Sequence, residues 1–259
     1  MDISSSQNLK IKEIIGLRKA AKRKKEDLIV IEGKKEIEMA QRGNMKINNF
    51  FYCPELNPDA DKALVRDDQG LFLVTPDVFK KISLREHPDG YLATAKPRYS
   101  KLSEIKLSSA PLVIVLEAVE KPGNLGAIFR VADAAGADAV IISDPRTDIY
   151  NPNVIRASRG AVFSVRAAVS PADKIISWLK TNKIKIFAAT PNTDKFYTEP
   201  DYRGATAIVI GTEHEGLSDR WLQAAGKKIK IPLQGKIDSL NAAVSAAIII
   251  YEALRQRRT

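Results

Sequence analysis

"EKPGNLGAIFRVADAAGADAVIIS", residues 120–143, sets a Pro-Gly-Asn-Gly turn directly before a helix of small residues that carries one arginine, then runs into an apolar strand. Pro122 and Gly123 make the turn, and Gly126 lets the backbone approach a neighbour closely. A helix from Asn124 to Ala135 then leads to the strand ADAVIIS. Upstream, LVIVLE is a continuous apolar strand; downstream, KIKIFAAT and TAIVIGTE are two more. Nearly unbroken apolar strands separated by helices predict a parallel sheet with helices on both faces, an α/β fold. A last strand, KKIKIPL, precedes a long helix from Ser239 to about Arg257.

The first hundred residues read as a smaller α/β unit. Residues 7–25 form a predicted helix with Leu9, Ile14, Leu17 and Ala21 on one side. Its other side is basic, with Lys10, Lys12, Arg18, Lys19, Lys22, Arg23, Lys24 and Lys25 set against Glu13. The strand LIVIEG, the helix KKEIEMAQRG, the strands INNFFYC and LFLVT, the capped helix TPDVFKKIS and the strand GYLATA come next. KPRYSKLSEIKLSSAP is polar, carries Pro97 and Pro111 and has no clear period. The expected organisation is therefore a first domain over 1–100, a linker over 101–110 and a second domain over 111–259.

Bulk properties narrow the partners. The net charge of +10 over 259 residues points to an anionic partner, although such charge also serves solubility. Arg255, Arg257 and Arg258 add to the basic cluster of residues 10–25; either cluster could equally be a solvated helix face. Cys53 is the only cysteine, so no intrachain disulfide forms and a cytoplasmic setting is expected. The N-terminus lacks the apolar core of a signal peptide, and LNAAVSAAIIIYEAL is too short to span a bilayer, so no membrane partner is expected.

Three patches carry the chemistry, and each has a plain reading beside the functional one. KPGNLGAIFR exposes backbone amides at a helix start, which favours an anion, or is an ordinary strand-to-helix turn with Arg130 in solvent. It is not G-x-G-x-x-G, and no G-x-x-x-x-G-K-[ST] occurs, so a dehydrogenase or triphosphate site is poorly supported. In IVIGTEHEGLS, an apolar strand ends in Gly211, Glu213 and Gly216, placing a carboxylate where open α/β sheets hold ligands. The alternative is an acidic helix start favoured by the dipole. In IPLQGKIDSLNAA, Pro232 stops a strand and Ser239 is a plausible N-cap, with Asn241 inside the first turn.

Taken in this order, the three patches resemble the SpoU/TrmH branch of the SPOUT RNA methyltransferases. Asn124, Gly126 and Arg130 match the first motif; Gly211, Glu213, Gly216 and Leu217 the second; Ile231, Pro232, Ser239, Leu240 and Asn241 the third. The match covers residues 112–257. More loosely, the basic N-terminal part resembles the family's RNA-binding module, which is similar to small ribosomal proteins. Thr212-Glu213-His214, Lys121 and Ala242-Ala243 depart from the common pattern, which bears on substrate choice.

The resemblance implies S-adenosylmethionine-dependent methylation of a ribose 2′-hydroxyl in RNA, ribosomal RNA before transfer RNA. A non-catalytic RNA-binding or ribosome-assembly protein is the alternative from a different class. The resemblance further implies a deep trefoil knot and a homodimer with composite active sites; methyl transfer from a sulfonium needs no metal, and two histidines and one cysteine could hardly build a metal site. Carried over residue by residue, it assigns Thr190, Pro191, Gly211, Thr212, Ile231, Leu233 and Leu240 to the cofactor. Arg130, Asn124, Glu213, Ser239 and Asn241 fall to catalysis, and Lys19, Lys22, Arg23, Lys24 and Lys25 to RNA binding. Because arginine stays protonated in proteins, Arg130 is expected to act as a cation beside the developing alkoxide, held by Asn124 and balanced by Glu213, with acceptance of the hydroxyl proton by Arg130 as the alternative.

Overall fold

The computed structural model describes residues 2–58, 64, 70–212 and 215–258, in two compact units. The first comprises residues 1–98 with 148–164, and the second residues 99–147 with 165–259.

The first unit contains β1 (Asp2–Ile3), α1 (Leu9–Gly16), α2 (Ala20–Glu26), β2 (Ile29–Glu32), α3 (Lys34–Arg42), β3 (Ile47–Tyr52), β4 (Gly70–Val74), α4 (Pro76–Ile82) and β5 (Tyr91–Ala95). Its sheet runs β1-β4-β3-β5-β2, with β1, β4 and β3 parallel and β5 antiparallel to both neighbours. Ile11, Ile14 and Leu17 pack with Phe51, Val78, Phe79 and Leu92 into its core. Burying one such side chain fully is worth roughly 1.5–3 kcal/mol.

The helix expected over 7–25 is two helices. Lys19 is extended, and Arg23 reaches back to donate to the carbonyls of Leu17 (2.8 Å) and Arg18 (2.9 Å), the acceptors a continuous helix would have used. Arg23 also pairs with Asp148 at 2.7 Å and is only 4% exposed. Its expected place on an RNA-facing surface is therefore corrected: it is an internal strut. Lys19, Lys22, Lys24 and Lys25 remain exposed.

The second unit's sheet is parallel throughout: β6 (Leu112–Glu117), β7 (Ala139–Ser143), β8 (Ala167–Val169), β9 (Lys185–Ala189), β10 (Thr206–Ile210) and β11 (Lys227–Ile229) in the order β11-β9-β10-β6-β7-β8. Its helices are α5 (Pro122–Ala134), α7 (Ala172–Thr181), α8 (Asp219–Ala224) and α9 (Ala242–Arg257). The intervening α6 (Pro152–Ser158) belongs to the first unit. Val113, Val115 and Ile141 project onto α7 and α8, where Ile175, Leu179 and Trp221 complete a core. Strand alternation sends Ile114 and Leu116 to the other face, where α5 and α9 pack on each other and on β7 and β10. The sheet is thus covered on both faces, which explains why its strands read as unbroken apolar runs.

Two details differ from expectation. In segment 101–110, Leu102–Glu104 form a 3-10 turn and Ile105 is buried in this same core, so the stretch is packed rather than free. Arg257, one of the terminal basic residues, donates to the carbonyls of Tyr202, Ala110, Pro111 and Gly204 and fastens the end of α9 to the starts of β6 and β10. Burial lowers its pKa.

Candidate functional site

Loops leave the C-terminal ends of the neighbouring strands β9, β10 and β11, where open α/β sheets bind ligands. A cavity of about 380 Å³ lies among them, walled by these loops and by the first turns of α9. Thr190 comes directly after β9, is 9% exposed, and donates its N–H to the Ile229 carbonyl at 2.9 Å, tying the loop to β11. Farther along, Tyr197 N–H meets the Lys230 carbonyl and Lys230 N–H meets that of Lys195, both at 2.9 Å.

The loop after β10 is tighter. Thr212 and Gly216 exchange two backbone hydrogen bonds of 3.2 Å, and Thr212 Oγ1 accepts from Glu215 N–H at 2.9 Å. Gly216 has φ +70°, and a Cβ on Gly211 would collide with the Gly216 carbonyl. Both glycines are therefore required by the backbone path. Glu213 and His214 lie outside the described residues. Glu117, buried at the end of β6, secures the far end of this loop: it accepts from Ser218 N–H (2.8 Å) and Ser218 Oγ (2.7 Å). This fixes Leu217 as part of the cavity wall. Glu117 escaped the sequence reading, although a lone acid closing an otherwise apolar strand was the available signal.

After β11 the chain contributes Ile231, Leu233, Ser239 and Leu240 to the wall. The N-cap of α9 is Asn241, not Ser239: Asn241 Oδ1 accepts from Ala243 N–H at 2.9 Å and Val244 N–H at 3.4 Å. An Asx side chain two residues before the receiving amide fits this geometry, whereas Ser239 lies too far upstream. The other end of the same side chain, Nδ2, donates to Asn124 Oδ1 at 3.0 Å. One residue thus caps α9 and grips the start of α5.

All seven residues expected at the cofactor (Thr190, Pro191, Gly211, Thr212, Ile231, Leu233 and Leu240) line this one cavity, together with Ser239. The first and third patches meet through the Asn124–Asn241 bond. The first and second are linked by Arg146, which pairs with Glu120 at 2.8 Å and Glu215 at 3.6 Å, exposed contacts worth about 0–1 kcal/mol each. Arg130 is not part of the wall: it is exposed on α5 and has no acid partner among the described residues. Six residues along α5 set its side chain about 120° around the helix from that of Asn124.

Chemically the cavity combines an aliphatic surface (Ile210, Leu217, Ile229, Leu240, Ile249) with polar residues, among them Thr190, Thr212, Ser239, Glu215, Lys230 and Asp238. That composition suits a small molecule with an apolar body and polar ends.

Residues 111–251 match the model of the SpoU rRNA Methylase family, and residues 8–93 that of the MRM3-like substrate binding domain. The chain is 28% identical to the 23S rRNA (guanosine(2553)-2′-O)-methyltransferase of Bacillus subtilis, over 96% of this chain and 97% of that one. Among solved structures it is similar to an RNA 2′-O ribose methyltransferase (TM-score 0.88, 40% identity, 100% of both chains). It is also similar to an AdoMet-bound rRNA methyltransferase from Sinorhizobium meliloti (TM-score 0.89, 29% identity, 98% of this chain and 97% of that one).

Proposed function

The chain belongs to the SpoU rRNA methylase family, and we propose that it methylates a ribose 2′-hydroxyl of ribosomal RNA with S-adenosylmethionine as methyl donor. The observation that carries this reading is the convergence of all seven expected cofactor residues on one cavity whose rim is joined to Asn124.

The cavity fits the cofactor's mixed character. Ile210, Leu217 and Leu240 would offer apolar surface to the cofactor, and Gly211, Ile231 and Leu233 would offer backbone polar groups. Bound there, S-adenosylmethionine supplies an electrophilic methyl group on a sulfonium. The chain itself must orient the ribose and stabilise charge on its 2′-oxygen as the hydroxyl proton leaves. Arg130, exposed on α5, is the cation assigned to the phosphate and the developing alkoxide. Ser239, Asn241 and Asn124 shape the ribose side of the cavity, and Glu213, by its motif position, balances the charge.

Arg130 lies off its own cavity wall, which fits an active site completed by a second copy of the chain. Val244 (47% exposed) and Tyr251 (49%) lie on one exposed face of α9, with Ile248 between them, and supply an apolar surface for such a homodimer. The threading of the C-terminal strands into a trefoil knot belongs to the same reading. It is supported by the pairing of the segment after β11 with the loop after β9. The first unit is assigned to RNA binding through Lys19, Lys22, Lys24 and Lys25, in a cytoplasmic setting.

The test is incubation of the full chain with S-adenosylmethionine and ribosomal RNA, then mapping of 2′-O-methyl groups. A new methylated ribose is expected. A chain that binds RNA but no cofactor is a non-catalytic RNA binder, and the proposal falls.

A further inference from the structure

The first unit holds a second cleft, of about 550 Å³, lined by Lys34, Lys35, Glu36, Asn57, Arg85, Asp89, Arg156 and Arg159. We infer that this cleft is a backbone-phosphate site for the RNA substrate, separate from the basic α2 surface. The inference rests on the reading of the chain as an RNA methyltransferase.

Five cations face two carboxylates, and both carboxylates are engaged. Glu36, 5% exposed, pairs with Arg85 at 2.8 Å, while Asp89 accepts from Lys34 N–H at 2.9 Å and lies 3.8 Å from Arg85. Arg85 is itself anchored, donating to the Glu32 carbonyl at 2.9 Å. Lys35, Arg156 and Arg159 are exposed and pair with no acid among the described residues. The cleft therefore keeps a surplus of positive charge.

Its construction points the same way. The cations come from three places: the start of α3, the loop before β5 and the C-terminal end of α6. Gly33, at φ +106°, caps α3 without a side chain, and a Cβ there would run into Arg85 and Glu36. Arg159 holds a left-handed conformation (φ 52°), a position ordinarily given to glycine, yet keeps its long cationic side chain.

The lining also decides what part of RNA is recognised. Every residue in it is charged or an amide, and no aromatic ring is present on which a base could stack. Such a surface reads phosphate and sugar and positions the strand without reading sequence.

The experiment uses the full chain with ribosomal RNA and measures affinity as a function of salt. Lys35→Gln/Arg159→Gly removes two free cations, and glycine is at ease in the left-handed position. The slope of log affinity against log salt should fall by about 1.4–1.8, with roughly tenfold weaker binding at moderate salt. S-adenosylmethionine affinity, read by calorimetry, should stay unchanged. An unchanged slope in this variant, with a reduced one in Lys24→Gln/Lys25→Gln, overturns the inference. So does saturation of the cleft by inorganic phosphate without any change in RNA slope, which makes it a small-anion site. A wild-type chain that binds S-adenosylmethionine but no RNA sinks the inference and leaves the cofactor assignment standing; one that binds neither removes the proposed function as well.

Discussion

The cavity at the ends of β9, β10 and β11 combines an aliphatic surface with polar groups, whereas the cleft at the start of α3 is lined by charged and amide residues alone. The first selects by shape: Gly211 admits no side chain, and Leu217 is held in place through the Glu117–Ser218 contacts. The second selects by charge, a long-ranged and forgiving property that screens with salt. On the proposed assignments, one chain offers a shaped cavity to a small molecule and an electrostatic platform to a polymer.

Substitutions can break this contrast or sharpen it. The largest effect is expected from Arg130→Ala: methyl transfer should fall about 10²–10³-fold, the range for losing one charge-stabilising group. S-adenosylmethionine affinity should hold, because Arg130 is not part of the cavity wall. A variant that retains full activity removes Arg130 from catalysis.

Arg23→Ala should cost about 3 kcal/mol of stability, because it strands Asp148 without its buried partner. Urea unfolding monitored by far-UV circular dichroism measures this, and cofactor affinity is expected to be unaffected. Little or no loss would mean that the strut is dispensable.

Gly211→Val should weaken S-adenosylmethionine binding about 10–100-fold, equivalent to 1–3 kcal/mol of overpacking. The salt slope of RNA binding should not move. A parallel loss of RNA affinity would show that the two sites are not separable.

Asn241→Ala loses the α9 cap and the bond to Asn124, for about 1 kcal/mol and a Tm lower by about 2–4 °C. Asn241→Asp should recover the capping part but not the donor to Asn124. Calorimetry on the pair separates cap from bridge.

The smallest effect is pH-dependent. Hydrogen bonds from Arg203 bring the Asp201 carboxyl down to about 2 from its ordinary 3.8, and Arg255 holds Glu252 below its ordinary 4.5. For lowered carboxylates the contribution is complete above the unfolded values and is lost as pH falls through the folded ones. Stability should therefore decline gently below about pH 4, measured by denaturation from about pH 5 to pH 2.5. Glu252→Gln should flatten that decline.

Much of the second unit was legible because its determinants are local. LVIVLE, AVIIS and TAIVI announce buried parallel strands in five or six letters, and the glycines and prolines that come after strands mark the loops of the cavity. The misplaced details are those in which a side chain reaches across the sequence. The break between α1 and α2 depends on Arg23 and on Asp148, 125 residues away. Asn241, which caps α9 through local spacing, also reaches Asn124, 117 residues upstream. Neither contact leaves a trace in hydrophobic period.

What the sequence determined by itself was the parallel sheet and the order of its loops, because unbroken apolar runs and the glycines and prolines that end them are local signals. The cavity residues were named through the family resemblance that the three patches carry. The tertiary structure alone decided that residues 148–164 belong with the first unit, that Arg23 is internal, and that Lys35, Arg85 and Arg159 share a cleft. Charge acts through space rather than along the chain, so lysines and arginines far apart in sequence form a site only once the backbone has brought them together.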